Sequence, residues 1–148
     1  MTPRTRVAAV GALGLLLAIF VASAAVASTS AWVVKANAAC RLWQQKSVAT
    51  FGANPKAPST AGGMYTFELK ARPIEVGELH ALEAIRAARP PGATRALSYI
   101  VADVAELDAA IAAYRAGNQA RFLERTFAWL NDHRASRAFK AIGATDCA

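Results

Sequence analysis

The side chains able to do chemistry in this sequence are few and can be weighed one by one. Cys40 and Cys147 are the only cysteines, and His80 and His133 the only imidazoles. A cysteine pair can form a structural disulfide, exchange electrons or hold a metal as thiolates. There is no C-x-x-C spacing and no neighbouring base in sequence to lower a thiol pKa. A structural Cys40–Cys147 bond is therefore expected. It closes a loop of roughly a hundred residues, for which the chain-entropy model gives about 4–5 kcal/mol.

The histidines point to less. His80 stands in Glu78-Leu79-His80-Ala81-Leu82-Glu83, so Glu83 lies one helical turn away. A di-metal bundle would place Glu-x-x-His on two helices together with further inward glutamates. Here the histidine precedes the glutamate, and neither shares the Leu79/Leu82 stripe, so a solvated surface pair is expected and no metal or cofactor. Arg125, Trp129 and His133 follow one another at single-turn spacing. Such a group could contact a ligand or partner by stacking and cation–π attraction. Its plainer reading is a tryptophan at the edge of the core between snorkelling side chains. No G-x-S-x-G motif or phosphate-binding glycine loop occurs, and Gly62-Gly63 lacks a following Lys-Ser/Thr. Asp103, Glu106 and Asp108 form an acidic patch on what should be a solvated helix face, with the arginines of the last helix as partners. The remaining carboxylates fall mainly off the apolar stripes, where water would keep their pKa values ordinary. No catalytic residue is expected.

The elements that must position these residues begin after an apolar opening. Val7 to Val34 carries no charge, follows Arg4 and Arg6, and ends at Lys35. A positive start, an apolar run and small residues describe an export signal or membrane anchor. Ala25-Val26-Ala27 supplies a cleavage motif, whereas Val7 to Ala27 is also long enough to span a bilayer. Both readings stand, and both place residues 28–148 outside the cytoplasm, as an extracytoplasmic domain, secreted or held at the membrane by residues 7–27. Cys40 is too far from the apolar run for a lipidation site, and Arg4-Thr5-Arg6 is not a twin-arginine signal.

Alanine supplies 37 of the 148 residues, which favours helix and disfavours strand. The net charge of +7 falls to +5 without Arg4 and Arg6. With the basic residues scattered, nucleic acid is not implied. Val33, Ala36, Cys40, Trp43 and Ser47 make a one-sided helical stripe between Ala31 and Phe51. A loop from Gly52 to Gly63 follows, with Ser59 or Thr60 as cap for a second helix reaching Ala88. Pro73 should kink or split that helix near Lys70, and Pro90-Pro91-Gly92 ends it. Thr94 can cap a third helix, whose stripe of Leu97, Ile100, Val104, Leu107, Ile111 and Tyr114 has the bundle period. Gly117 can end it in the left-handed conformation, and Asn118 can cap a fourth helix over 119–141. That junction forces a tight reversal. Leu123, Phe127 and Leu130 form one apolar line on the fourth helix, with Phe122 and Trp129 beside it. The expected fold is all-α, a four-helix, mainly antiparallel bundle after an N-terminal apolar segment.

Cys40 in the first helix, Leu79 to Leu82 before Pro90-Pro91, the Gly117-Asn118 junction and the Gly143 to Cys147 tail occur in a telling order. In that order the chain resembles a group of small uncharacterised exported helical proteins of high-GC actinobacteria. The resemblance implies an exported helical fold and brings no activity or site residues.

The expected function is a non-enzymatic module that binds a protein or envelope polymer. The alternative is a carrier of a small apolar or aromatic ligand between the helices, suggested by Phe122, Phe127 and Trp129. An apolar cavity of several hundred Å3 would favour the carrier.

Overall fold

The computed structural model describes residues 31–56 and 58–148. The expected export segment, with Ala25 to Ala27, lies outside the described residues. Those residues form α1 (residues 31–51), α2 (Ala61–Glu83), α3 (Ala93–Arg115), α4 (Gln119–Leu130), α5 (Arg134–Ala141) and a 3-10 turn at Thr145–Cys147, with no strand among them. No described helix is long and apolar enough to cross a membrane.

α3 is the central element and packs against α2, α4 and α5. Its buried face alternates bulk with alanine: Leu97, Ile100, Leu107 and Ile111 stand among Ala93, Ala96, Ala110 and Ala113. Alanine surrenders no rotamer freedom and lets neighbouring helices approach closely. The larger core cluster joins Trp32, Ala36 and Cys40 of α1 to Leu79 and Leu82 of α2, the start of α3, and Phe139 of α5. A smaller cluster at the other end is built on Ala110, Ala113 and Phe122. There Tyr65 and Tyr114 stack with centroids 4.2 Å apart, and Phe122 meets Tyr114 edge-on at 5.0 Å.

Several turns form where their residues allow. Thr60 Oγ1 accepts from the Gly63 amide and starts α2. Gly117 adopts a φ of +72°, and Asn118 Oδ1 then accepts from the Arg121 amide to start α4. α3 and α4 pack together across this junction. The cap of α3 differs from expectation. Gly92, at φ +91°, precedes the helix, and Thr94 lies inside it.

α2 is one continuous helix through Pro73 rather than two. The proline lacks the amide that would bond the Leu69 carbonyl, but Ala71 before it and Leu79 and Leu82 after it are buried on one side, and that packing carries the helix across. The expected fourth helix is instead two. Asn131 Nδ2 donates to the Phe127 carbonyl, and Asp132 Oδ1 accepts from the Arg134 amide. Short polar side chains here take over backbone partners and end the helical ladder, so α5 starts anew and swings Phe139 into the main core.

The carboxyl-terminal tail is fastened to α1. Cys40 and Cys147 are bonded, with an S–S distance of 2.04 Å. Asn37 Oδ1 accepts from the Asp146 amide at 2.9 Å, Gln44 donates to the Asp146 carbonyl, and Arg41 pairs with the Asp146 carboxylate. These three side chains lie on successive turns of α1 beside Cys40.

Gly77 of α2 lies against the Trp43 ring of α1. A Cβ there would lie 2.1 Å from the Trp43 ring. Alanine normally gains about 1 kcal/mol over glycine within a helix. At this position the clash should reverse the sign, and Gly77→Ala is expected to destabilise by about 1–2 kcal/mol net. In a Trp43→Ala background the same change should become neutral or stabilising. A double-mutant cycle by denaturant unfolding measures this, and an equal cost in both backgrounds would refute the contact.

Candidate functional site

Between α2, α4 and the loop leading into α2 lies a cleft of about 220 Å3. Its walls are almost wholly apolar. Pro55 and Pro58 come from the loop, Met64 and Phe67 from α2, and Trp129 and Leu130 from α4. Phe51 packs on Phe67 with centroids 4.3 Å apart, and Phe67 stands 6.2 Å from Trp129. This aromatic series ties the ends of α1, α2 and α4 together and sets the width of the cleft.

Its polar lining consists of Glu68 and Thr126, both buried. Glu68 is there because the α2 stripe of Met64, Glu68, Ala71, Glu75, Leu79 and Leu82, at spacings of three and four, turns it toward the bundle. Thr126 lies between Phe122 and Trp129 on the inner edge of α4. Thr126 Oγ1 is 2.5 Å from Glu68 Oε1 and 2.9 Å from the Phe122 carbonyl oxygen. One hydroxyl proton cannot fully serve two acceptors. Thr126 Oγ1 donates to Glu68 Oε1 or to the Phe122 carbonyl, and a proton on Glu68 would let both contacts be hydrogen bonds, the carboxyl then donating to Thr126. Burial pushes the Glu68 pKa up, against the opposing pull of its bond to Thr126. The second carboxyl oxygen, Oε2, is buried and has no partner within the described chain.

The residues singled out in the sequence are dispersed rather than gathered. Trp129 lines the cleft. Arg125 turns away and makes a two-oxygen contact with Glu106 of α3, at 2.9 and 3.0 Å. His133 is exposed at the start of α5, because the helix breaks at Asn131 and the one-turn spacing to Trp129 is lost. His80 is exposed on α2. The expected apolar line on the fourth helix also changes. Phe127 and Leu130 are 49% and 40% exposed, so Phe122, Thr126 and Trp129 form the inner edge. Glu68 and Thr126 carry no sequence signature of a site, because an isolated polar residue on a helix is ordinarily solvated. Their heptad-like spacing from buried neighbours was the available signal.

The expectation that the carboxylates are solvated and ordinary is also overturned. Asp103 is buried on α3, whereas Glu106 forms a half-buried pair with Arg125 and Asp108 a more exposed one with Arg72. Burial pushes Glu75, Glu78 and Asp103 each up to about 7, with the Glu78 charge adding to Glu75. Asp132 and Glu75 raise Asp103 further, and Arg134 opposes them. Asp132 itself is held low by its hydrogen bonds to Arg134. Glu78 also lies within 4.8 Å of both disulfide sulfurs. Bonded to each other, those sulfurs are not thiolate ligands, so the trio is not a metal set.

A broader trough of about 370 Å3 opens at the other end, between α3 and α5, with Arg95, Arg134 and Arg137 on its walls. Arg95 donates to the Tyr99 hydroxyl at 2.8 Å, and Arg134 lies 5.1 Å over the Tyr99 ring while bonded to Asp132. Two of its three cations thus already have partners inside the chain. No protein-family model, curated protein or solved structure matches the chain.

Proposed function

We propose that the domain is a non-enzymatic, extracytoplasmic binding module that holds a small aromatic or apolar molecule in the α2–α4 cleft. The observation that carries this reading is the apolar cleft itself. A cavity of roughly 150 Å3 lined by apolar side chains can hold benzene, and this one, at about 220 Å3, offers room for a single ring with a short substituent. It is smaller than a site for drug-sized ligands. Glu75, Glu78 and Asp103 do not line it, and its only hydroxyl is tied to Glu68 and the Phe122 carbonyl. Binding rather than turnover fits such a lining. The disulfide supports a location outside the cytoplasm, and residues 1–27 would provide export or anchoring.

Titration of 15N-labelled protein with single-ring aromatics should shift the Trp129 indole and Thr126 amide signals. Trp129→Ala should weaken binding about tenfold through loss of the ring wall. Lack of any localised shift at millimolar ligand would refute the carrier reading. A macromolecular partner is the second reading, favoured by Phe127 and Leu130, exposed one turn apart on α4. A partner on that face would be lost on Phe127→Ser while small-ligand binding persists.

A further inference from the structure

We infer that the cleft selects a neutral ring carrying a hydrogen-bond donor, a phenol in chemical class, with the donor placed against Glu68 Oε2. This rests on the cleft being a ligand site and adds what the ligand must present. Three observations carry it. Glu68 is fully buried, lines the cleft, and leaves Oε2 without a partner. A buried acceptor left unsatisfied is costly, so a ligand that supplies a donor gains more than one that supplies only apolar surface. The second point is electrical. Thr126 Oγ1 stands within reach of both the Phe122 carbonyl and Glu68 Oε1, and burial raises the Glu68 pKa, which together favour a neutral carboxyl with its proton shared toward Thr126. Oε2 is then a neutral carbonyl acceptor, suited to an uncharged O–H rather than to an ammonium group. The third is size: about 220 Å3 suits one ring and a hydroxyl, with Phe67 and Trp129 flanking the ring.

The test compares phenol, toluene and benzylamine on the full chain, with the Trp129 indole signal as readout. Phenol and toluene have nearly the same shape, and toluene is the more apolar, so a merely greasy cleft would favour toluene. Phenol is expected to bind about tenfold more tightly than toluene, and benzylamine more weakly than phenol. Glu68→Gln should keep the phenol preference, because the amide can donate to Thr126 and present its carbonyl in place of Oε2. Glu68→Met, which offers no strong acceptor, should reverse the order in favour of toluene, and its retained toluene binding shows that the cleft is intact. Toluene binding as tightly as phenol in the unaltered chain would overturn the donor inference while leaving the ligand cleft standing. Preference for benzylamine, abolished in Glu68→Gln, would overturn the neutral-acid assignment. Failure of all three probes to bind would overturn the cleft reading and this inference with it.

Discussion

Removal of the Cys40–Cys147 bond is expected to lower the unfolding free energy by about 4–5 kcal/mol, the chain-entropy value for a loop of this length. The residues are 107 apart in sequence, so the bond joins α1 to the tail and restrains nearly the whole described chain when unfolded. Its native-state partners are weaker. Arg41 and Asp146 pair at the surface, where a single ion pair contributes little, and the Asn37 and Gln44 bonds reach only the last few residues. Reduction, or Cys40→Ser with Cys147→Ser, should therefore drop the melting temperature by on the order of 15 °C. α5 and the 3-10 turn should also exchange their amides faster, because Phe139 and Ala144 share the core with Cys40. A melting temperature lowered by less than about 3 °C would show that packing alone fixes the tail.

Stability should fall, not rise, as pH increases from 5 to 7.5. Glu75 and Glu78 move from 4.5, and Asp103 from 3.8, to about 7 in the folded chain. Carboxyls with raised folded pKa values hold protons that the unfolded chain has already released. The folded state is thus favoured most below the unfolded values, loses that advantage between about pH 4.5 and 7, and changes little above. The groups influence one another and Glu75 and Glu78 retain some exposure, so the combined effect is about 3 kcal/mol rather than the full sum of three shifts. Below about pH 4 the trend should turn, as Asp132 gains a proton and weakens its contact with Arg134. Glu75→Gln with Glu78→Gln should raise stability at pH 8 and flatten the profile. Urea unfolding across this range decides the matter, and stability increasing toward pH 7.5 would refute the buried, raised acids.

Much of the helical framework is legible from local sequence. Alanine content and the three-and-four spacing of Leu97, Ile100, Val104, Leu107 and Ile111 specify α3, because a helix's own geometry aligns such residues without help from neighbours. Thr60, Gly117 and Asn118 mark boundaries through bonds reaching only three or so residues. Two cysteines in a chain with an export-like opening leave one pairing within it, Cys40 with Cys147. The break at Asn131–Asp132 is also written locally, in two short polar side chains that bond nearby backbone, but the apolar spacing of Phe127 and Leu130 continues the helical pattern up to it. What tertiary structure alone decided is which polar residues go inside. Periodicity gives Glu68, Glu75, Glu78 and Asp103 an angle around their helices, but burial depends on what stands opposite. For Glu68 that is Thr126, fifty-eight residues away. For Asp103 it is Asp132 and Arg134, brought near by the break between α4 and α5. The cleft arises in the same way, since Pro55, Phe67 and Trp129 belong to segments whose mutual distance no local pattern encodes. Side-chain spacing fixes the faces of each helix, whereas the packing of one helix on another fixes which face meets water and which meets a ligand.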